Sequence, residues 1–193
     1  MSSAESDTRT RILQAAWRLL EERAAGVRMS DIAKAAGVSR QAVYLHFPTR
    51  AKLLIDTTRY VDEVKNIDDR LAASRAATGI DRLDAFIQAW GDYIPEIYGI
   101  SKALLAIQET DVDAAEAWRD RMRALMHGCA AAVRSLEEMD QLRPDLSADD
   151  ASDLLWTLLS VRNWEHLRQD RGWSQEHYLD RTKWLAQRML VAG

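Results

Sequence analysis

Apolar residues recur every three or four positions along most of the chain, which is the spacing of one buried helical face. The first such stretch predicts a helix over residues 8–22, with apolar positions at Ile12, Ala16, Leu19 and Leu20. Asp7 or Thr8 can cap its start, and Gly26 follows its end. No stretch reads convincingly as a strand, so the pattern predicts an all-α fold with about nine helices.

Two short helical segments come next, "SDIAKAA" and "SRQAVYLHF", joined at Gly37 and Val38. Thr49 can cap a long helix that is predicted from about Arg50 toward Ala73 and ends in the loop "SRAATG". That loop is the clearest internal boundary. We predict two domains, a small head over residues 1–52 and a larger body over residues 53–193, which the long helix joins.

The body contains four more predicted helices. The first, "DRLDAFIQAWGDYIPEIYGI", carries Pro95, whose ring would clash with the carbonyl of Gly91, so a kink is predicted there. The second runs from about Ala114 to Glu138. The remaining start and stop signals are Ser147 with Asp150 for the third helix, Gly172 at its end, and Ser174 for the fourth.

Composition agrees with a globular helical chain. Hydrophobic residues make up 47% and charged residues 29% of the sequence, and 8 Gly with 3 Pro are too few for a many-stranded β-protein. The single cysteine, Cys129, excludes an internal disulfide and a multi-cysteine metal site. No apolar run approaches the roughly 18 residues of a membrane span, and the first residues contain no apolar secretory segment. A cytoplasmic protein without a membrane partner is therefore expected.

The net charge of −4, taken alone, argues against a nucleic-acid partner. The charge is unevenly distributed, however. Residues 1–60 contain 10 basic and 6 acidic side chains, whereas residues 61–193 contain 16 and 24. A mildly basic head therefore precedes an acidic body, and nucleic-acid binding by the head stays open.

The stretch "GVSRQAVYLHF", residues 37–47, places many hydrogen-bonding side chains on one short helix. Ser39 can cap this helix, while Gly37 makes the tight turn before it. Val43 and Phe47 are four residues apart and face inward against the preceding helix. The outer face is left with Arg40, Gln41 and Tyr44.

This outer face suits the DNA major groove. Arginine can bridge O6 and N7 of guanine, and glutamine can bridge N6 and N7 of adenine, each discriminating by about 1–3 kcal/mol. An outward Arg40 and Gln41 at the start of a short second helix supplies both groups. The alternative is a solvated helix face on which the Tyr44 ring lies flat.

The segment "VRMSDIAKAAGVSRQAVYLHFPTRAKLL" resembles the DNA-binding helix-turn-helix of the TetR (tetracycline-repressor-like) family. The matching positions are Ile32, Ala33, Ala36, Gly37, Val38, Ser39, Tyr44, His46, Phe47, Arg50, Leu53 and Leu54. The resemblance covers about residues 8–55, and beyond it only length and helical order agree. Two departures stand out. Val27 and Arg28 occupy positions where threonine or serine often caps a helix, and Arg50 stands where lysine is usual.

The resemblance implies base-edge contacts from Arg40 and Gln41. It also implies contacts to the DNA backbone from Ser39, Tyr44, His46 and Arg50. Position alone adds Arg28 and Ser30, because helix N-termini and arginine both suit phosphate. His46 can equally well pack within the protein beside Phe47.

Six of the seven tryptophans lie after residue 60. Packing explains many of them, and an aromatic-lined ligand pocket between helices is the functional alternative. The predicted kink near Gly91 and Pro95 can open such a space for a flat or hydrophobic effector, and no cofactor is predicted. The predicted wall and its polar anchors are Trp90, Tyr93, Tyr98, Trp118, Met122, His127, Asn163 and His166.

The stretch "LLWTLLSVRNWEHL" leaves almost no polar face, so its helix needs cover on nearly all sides. The resemblance implies that it pairs with the final helix, and with their copies in a second subunit, as a four-helix homodimer interface. A two-fold dimer places two recognition helices about 34–36 Å apart. The double-stranded DNA operator should then be a near-palindrome.

These features predict a ligand-responsive transcriptional regulator, a repressor in the first instance, whose effector shifts the helix that begins at Arg50 and releases the operator. The alternative is a DNA-binding dimer without a small-molecule ligand, whose body serves dimerisation or protein partners. An enzyme is not predicted. His127 and Cys129 are two apart on a helix and so point in different directions, and no catalytic set or metal spacing is visible.

Overall fold

Helices form almost all of the regular structure in the computed structural model, which describes residues 3–23 and 26–192. Their bounds are α1 Ser3–Arg23, α2 Met29–Ala36, α3 Arg40–His46, α4 Arg50–Val64, α5 Ile67–Arg70, α6 Ala72–Ala76, α7 Gly79–Ile107, α8 Val112–Glu138, α9 Ala148–Leu158, α10 Val161–Glu165 and α11 Gln175–Leu190. A π-helical turn, His166–Asp170, continues α10. The described residues contain no strand, only a β-bridge between Leu142 and Val191. The predicted all-α class is confirmed.

The chain divides into two compact units. The first consists of Met1–Lys65 and Ile97–Met122, and the second of Asn66–Glu96 and Arg123–Gly193. Helices α7 and α8 each contribute residues to both units. The division of function at residue 52 is a separate matter and stays a prediction. Nowhere in residues 3–23 and 26–192 is a helix both long and apolar enough to cross a membrane.

The first unit is built on helix packing that the sequence pattern predicts. Helix α1 packs against α2 and α4, and α2 packs against α3. Side chains with no exposed surface line these contacts, namely Ile12, Leu20, Ile32, Val43, Phe47, Leu53 and Leu54. Ser39 and Thr49 cap α3 and α4 as predicted, accepting from the backbone N–H groups of Ala42 and Lys52 at 3.1 Å each.

Two of the predicted helix bounds in the first part of the chain are wrong. Helix α1 begins at Ser3, a turn before the predicted caps at Asp7 and Thr8. The long helix from Arg50 does not reach Ala73 but ends at Val64. Asn66 follows in the left-handed region with φ 55°, a conformation that asparagine tolerates better than most residues and that no α-helix continues through.

The predicted helix ending at Gly172 is also interrupted, between Leu158 and Val161. Ser160 accepts from the backbone N–H of Asn163 at 3.2 Å and so starts a new helix. The Asn163 amide donates to the Thr157 carbonyl at 2.7 Å, which satisfies the end of α9. Local side-chain hydrogen bonds thus outweigh the continuous apolar pattern.

In the second unit α11 packs against α9, and two glycines allow close helix contacts. A Cβ atom on Gly91 of α7 would overlap the Leu179 side chain of α11. A Cβ atom on Gly128 of α8 would lie 2.5 Å from Cζ of Phe86 on α7. Helix α7 runs through Pro95 without ending, and the kink there stays a prediction. Ser147 and Ser174 cap α9 and α11 as predicted.

Candidate nucleic-acid interface

The interface begins with the turn between α2 and α3. The Asp31 carboxylate accepts from the backbone N–H of Arg28 at 3.1 Å, which closes the start of α2 without a serine or threonine cap. Gly37 ends α2 with φ 67°, and the Val38 N–H donates to the Ala33 carbonyl at 3.0 Å. This is the left-handed helix end that glycine favours. Helix α3 starts three residues after Gly37, at Arg40, so its direction is set by this turn.

The inner face of α3 anchors it to the rest of the unit. Val43 and Phe47 are fully buried, as their four-residue spacing predicts. The Arg9 guanidinium of α1 lies over the Phe47 ring, 5.2 Å from its centroid. Truncation of a buried phenylalanine costs about 3–5 kcal/mol, so Phe47 is a main determinant of where α3 lies.

The outer face of α3 carries side chains that are predicted to contact base edges and the DNA backbone. Ser39, Arg40, Gln41 and Tyr44 are all exposed. The Arg40 guanidinium lies 5.5 Å from the centroid of the Tyr44 ring, a cation–π contact that restricts both side chains. His46 is half-buried, with its ring 6.3 Å from that of Phe47. The structure thus leaves both interpretations of His46 open.

Leu45 was missed by the sequence reasoning. Its side chain is 79% exposed, although leucine is usually buried. It lies four residues after Gln41, so the two side chains share one side of α3. That spacing was visible in the sequence, but the apolar residue was assigned no role there.

An open depression of about 530 Å³ lies beside α3. It brings together five of the eight side chains predicted to touch DNA, namely Arg28, Ser30, Arg40, Tyr44 and Arg50. Both Arg28 and Ser30 are exposed at the start of α2, where backbone N–H groups also point outward. Three guanidinium groups, two hydroxyl groups and a helix N-terminus form a setting suited to phosphate.

Arg50 differs from the other members of this set because it has protein partners. Its Nε donates to the Val27 carbonyl at 3.1 Å, and Nη1 donates to Asp111 at 2.7 Å and Asp113 at 3.3 Å. Only 19% of the side chain is exposed. Burial alone would raise the pKa of Asp111, but the hydrogen bonds from Arg50 and from the Ala114 N–H, together with the positive charge of Arg50, outweigh burial and the pKa is lowered. Asp111 and Asp113 had no sequence signal, since they lie about 60 residues from Arg50.

Comparison with known proteins identifies the group to which this architecture belongs. Residues 12–57 match the family model for bacterial regulatory proteins of the tetR family. The transcriptional regulator CymR of Pseudomonas putida is 28% identical over 159 residues, which span 81% of this chain and 76% of CymR. This chain therefore resembles the tetR family, and the family model matches it over residues 12–57.

Solved structures agree with the tetR-family fold. The repressor NalD of Pseudomonas aeruginosa superposes with a TM-score of 0.69 at 23% identity, covering 98% of each chain. A Saccharomonospora viridis protein crystallised in complex with choline gives a TM-score of 0.72 at 23% identity, covering 97% of this chain and 100% of its own. At this identity the structures establish the fold alone.

The tetR-family match ends at residue 57, and the predicted ligand set lies beyond it. Tyr98, Trp118 and Met122 belong to the first unit, where all three are half-buried and Lys102 lies over the Tyr98 ring. Trp90, Tyr93, His127, Asn163 and His166 belong to the second unit. The assignment of these eight residues to a pocket stays a prediction.

Within the second unit, Trp90 and Tyr93 of α7 form an aromatic pair with ring centroids 6.0 Å apart. The Trp90 indole N–H donates to the Leu159 carbonyl at 2.8 Å. The three predicted polar anchors fit the wall of a pocket less well than this aromatic pair. His127 and His166 are exposed, and Asn163 uses its amide to satisfy the end of α9.

Helices α9 and α11 expose large apolar side chains. Leu154 is 41% exposed on α9, while Trp184 and Leu185 are 52% and 40% exposed on α11. Of the six tryptophans after residue 60, Trp164 is fully buried and Trp184 is the most exposed. Packing within the chain therefore does not account for Trp184.

Proposed function

We propose that this chain is a tetR-family repressor that binds a near-palindromic DNA operator as a homodimer and is released by a small hydrophobic or aromatic effector. The observation that carries the proposal is the outer face of α3. There Arg40 and Gln41 are exposed at the start of a helix whose other face is fully buried. A rigid helix with exposed hydrogen-bonding side chains is what major-groove reading requires.

Specificity is assigned to three side chains of α3. Arg40 suits the O6 and N7 acceptors of guanine, and Gln41 suits the N6 and N7 pattern of adenine. Leu45 adds an apolar group on the side of Gln41, where it can contact the methyl group of thymine. Arg28, Ser30 and Tyr44, which line the depression, are assigned to phosphates and set the position of α3 on the duplex.

The test is selection of bound sequences from a random double-stranded DNA pool. The wild-type chain should enrich a palindromic consensus. Arg40→Ala and Gln41→Ala should each relax the consensus at matching positions in both half-sites, by about 1–3 kcal/mol of discrimination. Arg162→Ala, which removes an exposed arginine in the second unit, is the matched control and should keep the consensus. Failure to enrich any sequence at low salt would refute the proposal.

The homodimer is assigned to α9 and α11, with a second copy of this chain as the partner. Exposed apolar side chains at the centre, Leu154, Trp184 and Leu185, have the character of an interface core. The exposed charges of α9 include Asp150 and Asp153, and those of α11 include Arg181 and Arg188 as well as Glu176 and Asp180. A two-fold interface must be complementary to itself, and opposite charges on the two helices, such as Asp153 and Arg181, meet that condition.

Charge reversal tests this pairing. Asp153→Arg and Arg181→Asp should each weaken the dimer in sedimentation, and the two variants mixed should associate more tightly than either alone. Species of only about 22 kDa at micromolar wild-type concentration would refute the dimer.

The effector proposal is supported by the tryptophan-rich second unit and by the choline complex of the Saccharomonospora viridis protein, which has the same fold. Effector binding is proposed to displace α4, which begins at Arg50 and directly follows the helix-turn-helix. A coupling of about 1–3 kcal/mol suffices, and DNA must then weaken effector binding by the same factor. A hydrophobic and aromatic library that moves neither tryptophan fluorescence nor the melting temperature would leave a DNA-binding dimer without an effector.

A further inference from the structure

Arg50 connects the phosphate-suited depression to the start of α8. Its side chain lines the depression together with Arg28, Ser30, Arg40 and Tyr44. Its Nε and Nη1 atoms donate to the Val27 carbonyl and to the two carboxylates of Asp111 and Asp113. A guanidinium has five N–H groups, and these contacts leave Nη2 available on a side chain that is one-fifth exposed.

The acidic partners are unusual for this place. A carboxylate beside a phosphate site repels the phosphate, so two of them need a compensating role. Asp111 is also tied to the helix that follows. Its Oδ1 atom accepts from Arg50 at 2.7 Å and from the backbone N–H of Ala114 at 3.1 Å. One oxygen therefore caps α8 and holds the guanidinium.

We propose that Asp111 and Asp113 are positioning residues for DNA binding, which hold the Arg50 guanidinium in the wall of the depression so that its remaining N–H groups donate to a DNA phosphate. This inference rests on the proposed DNA-binding function. An unrestrained arginine loses rotamer freedom when it binds, and a guanidinium already held in place by several partners loses less. The Arg50 guanidinium would then bind the carboxylates at the start of α8 and a DNA phosphate at the same time.

The experiment measures the affinity of the full chain for a labelled duplex of random sequence, by fluorescence anisotropy between about 50 and 200 mM salt. The variants are Asp111→Asn with Asp113→Asn, Arg50→Ala, and all three together. Asp113→Asn alone leaves the Asp111 cap of α8 in place and guards against misfolding. Glu109→Gln is the matched control, because it removes an exposed acid two residues away from Asp111 that lacks these contacts.

If the two carboxylates act only through their charge, their removal should raise the affinity for DNA. If they position Arg50, their removal should lower it. Removing an acid near DNA raises affinity, so Glu109→Gln should bind as tightly as wild type or more tightly. The double Asp→Asn variant should instead lose affinity by about two- to tenfold, with Asp113→Asn showing a smaller loss. In Arg50→Ala the dependence of log affinity on log salt should become shallower by about 0.9 for each phosphate that the side chain at position 50 no longer neutralises. The double Asp→Asn change should have no further effect in that background.

Two outcomes overturn the inference. One is a gain in affinity for the Asp→Asn variants like that of Glu109→Gln, which would mean that the carboxylates withhold Arg50 from DNA. The other is an equal loss with and without Arg50, which would place the effect in α8. Absence of salt-dependent binding by the wild-type chain would refute the proposed DNA-binding function itself, and so is distinct from both.

Discussion

Asp120 of α8 is held by charged groups from two helices, and its replacement by asparagine should unfold the first unit more easily. Arg59 of α4 donates to both Asp120 oxygens, at 3.2 and 2.8 Å, and Arg121 donates to Oδ2 at 2.6 Å. Arg121 also pairs with Asp62 of α4. The Asp120 side chain is only 10% exposed, and because Arg121 is 18% exposed whereas Arg59 is 54% exposed, water screens the contact with Arg121 least.

The size of the effect follows from the pKa of Asp120. Burial alone would raise that pKa, but the hydrogen bonds from Arg59 and Arg121 outweigh it and lower the pKa from 3.8 to about 2. The carboxylate therefore stabilises the folded state above the pKa of the unfolded chain, and this contribution disappears as pH falls toward the folded pKa. The difference corresponds to about 2 kcal/mol at about pH 7 and about 1 kcal/mol at about pH 3.

Asparagine resembles the protonated acid, so the gap between wild type and Asp120→Asn should follow these values. Urea unfolding monitored by circular dichroism measures this gap at both pH values, at one protein concentration because the proposed dimer would also contribute to stability. Glu116→Gln removes an exposed acid from the same helix and should change stability by less than about 0.5 kcal/mol. A gap no larger than that of Glu116→Gln, or one that is the same at both pH values, would refute the reasoning.

Three further outcomes are expected. Leu45→Ala should weaken binding to selected operators by about 0.8 kcal/mol, the value of one buried methylene. Leu45→Met should largely retain the binding. Equal binding by the wild type and both variants would show that Leu45 does not contact the DNA bases. Trp184→Ala should raise the dimer dissociation constant by about 30-fold in sedimentation equilibrium, the size of an interface hot spot, while Val112→Ala, at a position 78% exposed on α8, should not. Burial raises the pKa of Cys129 to about 12, so its thiol should react with an aromatic disulfide reagent at about pH 8 only when urea opens the fold, and prompt labelling of the native chain would contradict its burial.

The turn and α3 of the helix-turn-helix could be predicted from the sequence because the interactions that form them are local. The turn needs one glycine, Gly37. The start of α3 needs one hydroxyl, that of Ser39, which accepts a hydrogen bond from the backbone N–H of Ala42 three residues later. The inner face needs only the four-residue spacing of Val43 and Phe47. Each of these interactions joins residues within one or two helical turns, so the sequence pattern contains both partners.

The interrupted helices show where a local pattern is insufficient. Asn66 and Ser160 each end a stretch that periodicity predicts to continue. Periodicity reports which positions are apolar, and it does not report whether a side chain will satisfy the backbone groups at a break. At the Ser160 break such side chains are present, because the Ser160 hydroxyl accepts from the Asn163 N–H and the Asn163 amide donates to the Thr157 carbonyl.

The sequence by itself determined the all-α class, the helix-turn-helix and the side chains on the outer face of α3, since these depend on helix periodicity and on caps that lie close in the chain. Only the tertiary structure decided the partners of Arg50 and Arg59 on α4, whereas Lys52 and Asp56 of the same helix pair at a four-residue spacing. Arg50 pairs with Asp111 and Asp113, and Arg59 pairs with Asp120, each across about 60 residues. The physical reason is that an ion pair depends on distance in space, and no rule of spacing along the chain brings two helices together.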